Sequence, residues 1–211
     1  APTYVRELGK RGIPAWANSQ GGFFGTAEVS AMLSLLRAVD NPLQDIPLLA
    51  AMMSPVYGFT PDEMAYIRLE AQTGPLYLAV QACAGRGDPH CSSFLKDLSF
   101  FRQLASTMPV DRLLDMIFAQ KHVLPVFRVM RDGALREGNL RLLLEYARTY
   151  EGAGYQGLNG FLRYIDRLQE QRSDLAPASA AAETANVVRV VSIHYSKGLE
   201  FPVVFLAGCE M

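Results

Sequence analysis

The run Val187-Val188-Arg189-Val190-Val191-Ser192-Ile193-His194-Tyr195-Ser196-Lys197-Gly198-Leu199-Glu200-Phe201-Pro202-Val203-Val204-Phe205-Leu206 sets polar side chains between two apolar stretches. Val187 to Val191 is β-branched and nearly continuous, the pattern of a strand buried on both faces. Val203 to Leu206 predicts a second strand. Between them, an imidazole, a hydroxyl, an ammonium, a glycine and a carboxylate fall within seven residues. Open parallel sheets carry ligand-facing residues on loops at the carboxyl ends of their strands. His194, Ser196, Lys197, Gly198 and Glu200 are therefore candidate site residues.

Each of them has a chemical use and a plainer reading. His194 can donate to a phosphate or stack on a base, or be satisfied by a backbone carbonyl. Gly198 lets backbone N–H groups approach an anion and Lys197 adds a point charge, or the pair simply makes a turn. Glu200, between Leu199 and Phe201, predicts a carboxylate confined by buried neighbours, which is costly unless paired.

Outward from this run, Ser173 to Asn186 has the Ala/Ser/Pro content of a linker. Upstream of it the spacing predicts helices at Leu158–Gln171, Leu140–Tyr150, Val123–Met130, Asp111–Ala119, Ser92–Ala105 and Leu76–Ala84. Thr60-Pro61-Asp62-Glu63 is a capping box with proline at the first helical position. The composition becomes helical after Tyr57-Gly58. Before that point, Ile46 to Met53 predicts a short helix. Val29, Met32, Leu33 and Leu36 mark one face of another, with Thr26 as its N-cap. Ile13 to Ala17 predicts a strand, and Val5 to Lys10 a helix tail ended by Gly12. Gln20 precedes the loop Gly21-Gly22-Phe23-Phe24 and is a weaker candidate contact. That loop lacks the G-x-x-x-x-G-K-[ST] phosphate pattern, and both phenylalanines read as core anchors.

With 211 residues the chain can bury a sizeable core. Half of it is hydrophobic and 19% is charged, which excludes disorder as the main state. A net charge of −1 argues against a self-sufficient nucleic-acid module, not against one wall of a groove. Cys83, Cys91 and Cys209 form no CxxC pair; they suit a reducing cytosol and predict no metal site. No apolar run approaches a membrane span. Ala1 has no preceding methionine, and the opening helix tail reads as the continuation of something longer.

Ile193 to Phe205 resembles motif V of superfamily 1 DNA helicases of the UvrD, Rep, PcrA and RecB kind, and is most similar to that of AddA-type subunits of bacterial helicase–nucleases. Tyr195 departs from the pattern, standing where AddA-like sequences usually carry a lysine. Gly12-Ile13-Pro14, Ser19 to Phe24, Glu28-Val29, Met32 to Leu36, Asp40-Asn41-Pro42 and Asp45 to Leu48 resemble the segment after motif IV. Leu142 to Ala147, Gly157-Leu158 and Phe161 to Arg163 are similar to the helical insert.

The resemblance implies an α/β fold with a large all-helical insertion. A partial RecA-like (P-loop NTPase-like) second motor domain, 2A, would take residues 1–56 and 187–211. A helical 2B-type insert would take 57–172, and 173–186 would link it back. It further implies part of an ATP-dependent helicase and nuclease that processes double-strand DNA ends for recombinational repair, located in the bacterial cytoplasm with the nucleoid. His194, Ser196 and Gln20 would face DNA. Lys197, Gly198 and Glu200 would face the nucleotide, with no catalytic residue in this stretch. ATP and magnesium would be held mainly by other segments, the partners being single-stranded and duplex DNA ends, the rest of the polypeptide and an AddB-like subunit. The alternative is a non-enzymatic helical interaction module with a degenerate helicase-like tail.

Overall fold

A computed structural model describes residues 4, 7–8, 10–13, 15–17, 22–170, 188–191, 193, 196 and 200–207. The predicted linker 173–186 lies outside them. The chain divides into two compact units, one of Ala1–Gln20 with Ala180–Met211, the other Gly21–Ser179.

The second unit is helical: α1 (Ala27–Asp40), α2 (Asp45–Met52), α3 (Pro61–Glu70), α4 (Leu76–Gly85), α5 (Pro89–Ala105), α6 (Val110–Gln120), α7 (Val123–Arg128), α8 (Gly133–Gly152) and α9 (Leu158–Glu170). Its organising element is α1, which packs on α2, α5, α8 and α9. A helix so surrounded is apolar nearly all round, and Val29, Met32, Leu33, Leu35, Leu36 and Val39 are each at most 2% exposed.

Glu28 is the exception in composition, and it too is 2% exposed. Its carboxylate accepts from Arg136 Nη1 at 2.7 Å and from Asn139 Nδ2 at 2.6 Å, both on α8. At the other end of α1, Arg37 pairs with Asp166 of α9 at 2.5 Å and Asn159 donates to Asp40 at 3.0 Å. Arg102 of α5 donates to the Val39 carbonyl at 3.1 Å, satisfying an otherwise open helix end. The loop before α1 is anchored by Phe23 and Phe24, 0% and 3% exposed, whose rings lie 5.5 and 5.6 Å from that of Tyr146 on α8.

These contacts explain why the helical unit begins at Gly21, although the composition predicts a change at Tyr57-Gly58. Segments 21–56 and 57–170 share one core. The capping box forms as predicted, with Thr60 Oγ1 accepting from the Glu63 N–H at 3.2 Å and the Thr60 N–H donating to Glu63 at 2.7 Å. Thr26 stands at the N-cap of α1 but makes no side-chain cap; its hydroxyl donates to the Phe23 carbonyl at 2.9 Å. Helix α8 starts well before the predicted Leu140. Its first turns carry Arg136, Glu137 and Asn139, polar residues used in pairing that hide the helical period. Gly133 admits this start, since a Cβ there would meet the Arg128 carbonyl oxygen.

Two outcomes follow from these pairings. Glu28→Ala should lower the unfolding free energy of the chain by about 2 kcal/mol, because it removes the buried carboxylate to which half-buried Arg136 and buried Asn139 both donate. Urea unfolding measures this, and a change below about 0.5 kcal/mol, as at an ordinary surface site, contradicts it. The second outcome concerns acid. Hydrogen bonds from the Thr60 backbone and hydroxyl, then from His90, hold the Glu63 carboxyl at about 2 against an ordinary 4.5. A depressed carboxyl contributes stability that is complete above its unfolded value and fades as pH falls through its folded one. The stability advantage of the wild type over Glu63→Gln should therefore be constant above pH 4.5 and close between 4.5 and about 2. An advantage unchanged across that window contradicts the capping role.

Candidate functional site

The candidate loop rises from a short parallel ladder in the first unit. β1 (Ala15–Ala17) pairs with β2 (Val188–Val190) in the register Ala15↔Val188, Trp16↔Arg189 and Ala17↔Val190. Parallel strands end on the same edge of their sheet. The chain therefore leaves β1 towards Gln20 and β2 towards His194 from one edge, the carboxyl edge at which open α/β sheets bind ligands. His194, Lys197, Gly198 and Gln20 themselves lie outside the described residues.

Ser196 is described, and its hydroxyl donates to the Ile193 carbonyl at 2.9 Å, closing a turn. A serine hydroxyl has one donor and two acceptor lone pairs. While this bond lasts, Ser196 can accept from a ligand but cannot donate to a phosphate, which has only acceptors.

Glu200 is exposed, and Phe201 beside it is half-buried. This corrects the expectation of a confined carboxylate where the residues are described: Phe201 is not fully buried, and water reaches Glu200. An exposed carboxylate next to a strand-end turn is free to accept from hydroxyl groups such as those of a ribose.

The predicted strand Val203–Leu206 does not form. Val203, Val204, Phe205 and Leu206 are 69%, 70%, 89% and 68% exposed. A strand needs a neighbour for its backbone groups, and among the described residues β1 and β2 pair only with each other.

Sequence spacing also missed a cluster in the helical unit. Cys83 and Cys91 are eight positions apart and form no recognised ligand pattern, yet the turn between α4 and α5 brings their sulfurs and a carboxylate oxygen of Asp88 within 4.8 Å of one another. Proximity across a helix–turn–helix leaves little trace in linear spacing; the Gly85 to Pro89 turn was the available signal. No described helix is long and apolar enough to cross a membrane.

A family model of the UvrD-like helicase C-terminal domain matches residues 92–211. The chain is also similar to proteins named as ATP-dependent helicase/nuclease subunits. It is 45% identical over 213 residues to that of Acetivibrio thermocellus. It is 40% identical over 211 residues to that of Thermoanaerobacter pseudethanolicus and 42% identical over 214 residues to that of Bacillus licheniformis. Each comparison covers 99% of this chain and 17% of the relative, so the chain spans about a sixth of the length of these proteins.

The register is directly testable. Ala15→Cys with Val188→Cys should form a disulfide on mild oxidation, because Cα partners in a sheet lie within bridging range. Ala15→Cys with Val190→Cys is displaced by two residues, to about 8 Å, beyond the limit. Peptide mass mapping distinguishes the new bridge from bridges to native cysteines. Equal crosslinking of both pairs contradicts the register.

Proposed function

Because the chain belongs to the family of UvrD-like helicase C-terminal domains, we propose that it forms part of the motor of a longer ATP-dependent DNA helicase and nuclease. In this reading residues 1–56 and 187–211 contribute to a RecA-like second motor domain, 57–172 form a 2B-type insert and 173–186 connect them. The observation that carries the reading is the parallel pairing of β1 with β2. Two strands far apart in sequence join one sheet, and the two candidate segments leave it from the same edge.

The division of labour is the one that the resemblance to motif V implies. His194 stacks on or donates to the single strand, and Gln20 adds a polar contact. Ser196 holds the turn and joins the DNA side when its bond to Ile193 is exchanged. Lys197 and the Gly198 backbone neutralise and approach phosphate oxygens, while Glu200 accepts from ribose hydroxyls. ATP and magnesium supply the phosphoryl group and its charge neutralisation when bound, mainly by segments of the longer polypeptide. This loop's share is to couple cleft and strand by position and electrostatics. The exposed apolar run Val203–Leu206 supports a sheet that continues with strands of that polypeptide. Acting on DNA ends in the cytoplasm, together with an AddB-like second subunit, belongs to the same proposal.

The test uses the intact protein. His194→Ala should weaken single-stranded DNA affinity by about 1–3 kcal/mol, the worth of one stacked base, with the KM for ATP kept. Glu200→Ala should raise the KM for ATP or lower turnover, with strand affinity kept. Both are measured at fixed salt, because phosphate contacts make affinity salt-dependent. Indistinguishable profiles with unchanged thermal stability contradict the assignment. Lost stability in both variants returns the residues to a structural role.

A further inference from the structure

Cys83 near the end of α4, Asp88 at the N-cap of α5 and Cys91 in the first turn of α5 place one donor atom each within 4.8 Å of the others. Cys83 is 3% exposed and Cys91 0%, while Asp88 is half-buried. The Asp88 carboxylate accepts the Cys91 N–H at 2.7 Å, which fixes it over the helix start.

We propose that these three residues form a binding site for a soft divalent cation, zinc foremost, which staples the end of α4 to the start of α5. Tetrahedral zinc, with bonds of about 2.3 Å to sulfur and 2.0–2.2 Å to oxygen, needs donors about 3.5–3.8 Å apart. The cluster reaches that geometry by contracting roughly one ångström. Two thiolates select zinc over magnesium or calcium, which prefer all-oxygen sites. Two of the donors stand at a helix N-terminus, where negative charge is favoured. Gly85, Arg86 and Gly87, in the turn between the two helices, are exposed, and Asp88 is half-buried. Three protein donors leave the fourth tetrahedral position to a ligand from outside the chain.

Binding is an exchange of charge that balances. Two neutral thiols and one Zn²⁺ give two zinc-bound thiolates and two protons released to solvent. Affinity rises with pH as a result.

The experiment titrates the reduced, metal-free chain with Co²⁺ and then Zn²⁺. It reads thiolate-to-cobalt charge-transfer absorption, ions bound per chain by native mass spectrometry, and protons released. The expected result is one ion per chain, two protons per ion and a raised thermal midpoint. Cys83→Ala and Cys91→Ala, chosen because alanine keeps a small apolar group in the core, should each weaken binding by more than about 100-fold. That exceeds the roughly 10–100-fold of an outer-shell partner. Asp88→Asn should weaken binding by about 10-fold or more, and Cys209→Ala should leave it unchanged. Absence of the charge-transfer band, affinity indifferent to Cys83 and Cys91, or a Cys83–Cys91 disulfide formed in the presence of zinc overturns the site. Should the alanine variants fail to fold, alkylation of the wild type decides. Followed over hours, so that labelling proceeds through native-state opening, both thiols should react more slowly with zinc, and equal rates with and without zinc contradict the proposal.

Discussion

The helical unit depends on the burial of one carboxylate. Helix α1 is enclosed on almost every side, and Glu28 goes into the core with it. A buried carboxylate is tolerable only with compensating partners, and α8 supplies two of them, Arg136 and Asn139. The pairing sets the register of α8 against α1, because an apolar helix face can slide by a turn at little cost and a buried ion pair cannot. Phe23 and Phe24 on Tyr146 fix the entry to α1, and Arg37 with Asp166 fixes its exit against α9. The remaining helices are placed by what they lay against these.

This arrangement bears on function through the boundary it draws. A motor protein that works by moving parts moves them as packed bodies, because cores are close-packed and resist continuous deformation. Helix α1 packs on α5, α8 and α9, and α2 packs on α1 and α4. In the proposed helicase, the segment that resembles the motor domain is therefore joined to the insert through a shared core. The two strands form the other body, in which the parallel register settles the edge from which the candidate loop departs.

Much of this was legible in the sequence where local chemistry decides the outcome. The Thr60-Pro61-Asp62-Glu63 box forms as written, because both of its hydrogen bonds are made within four residues. Helices α2, α4, α6 and α9 sit where apolar spacing puts them, and motif V identified the family from a handful of residues. What was lost was set by partners distant in sequence. Asn139 and Arg136 disguise the first turns of α8 because their partner lies on α1, more than a hundred residues away. Val203–Leu206 has strand composition, but composition cannot supply a neighbouring strand. Glu200 was expected to be confined for the same reason. The meeting of Cys83, Asp88 and Cys91 depends on a turn's geometry, which pair spacing does not encode.

Native-state hydrogen exchange on the chain tests most directly whether α1 is the centre of the helical unit. Amides of Val29 to Val39 should exchange with those of α5 and α8, in the slowest group and at the free energy of global unfolding. Early exchange of Val29 to Val39, while residues 61–170 stay protected together, would contradict the account.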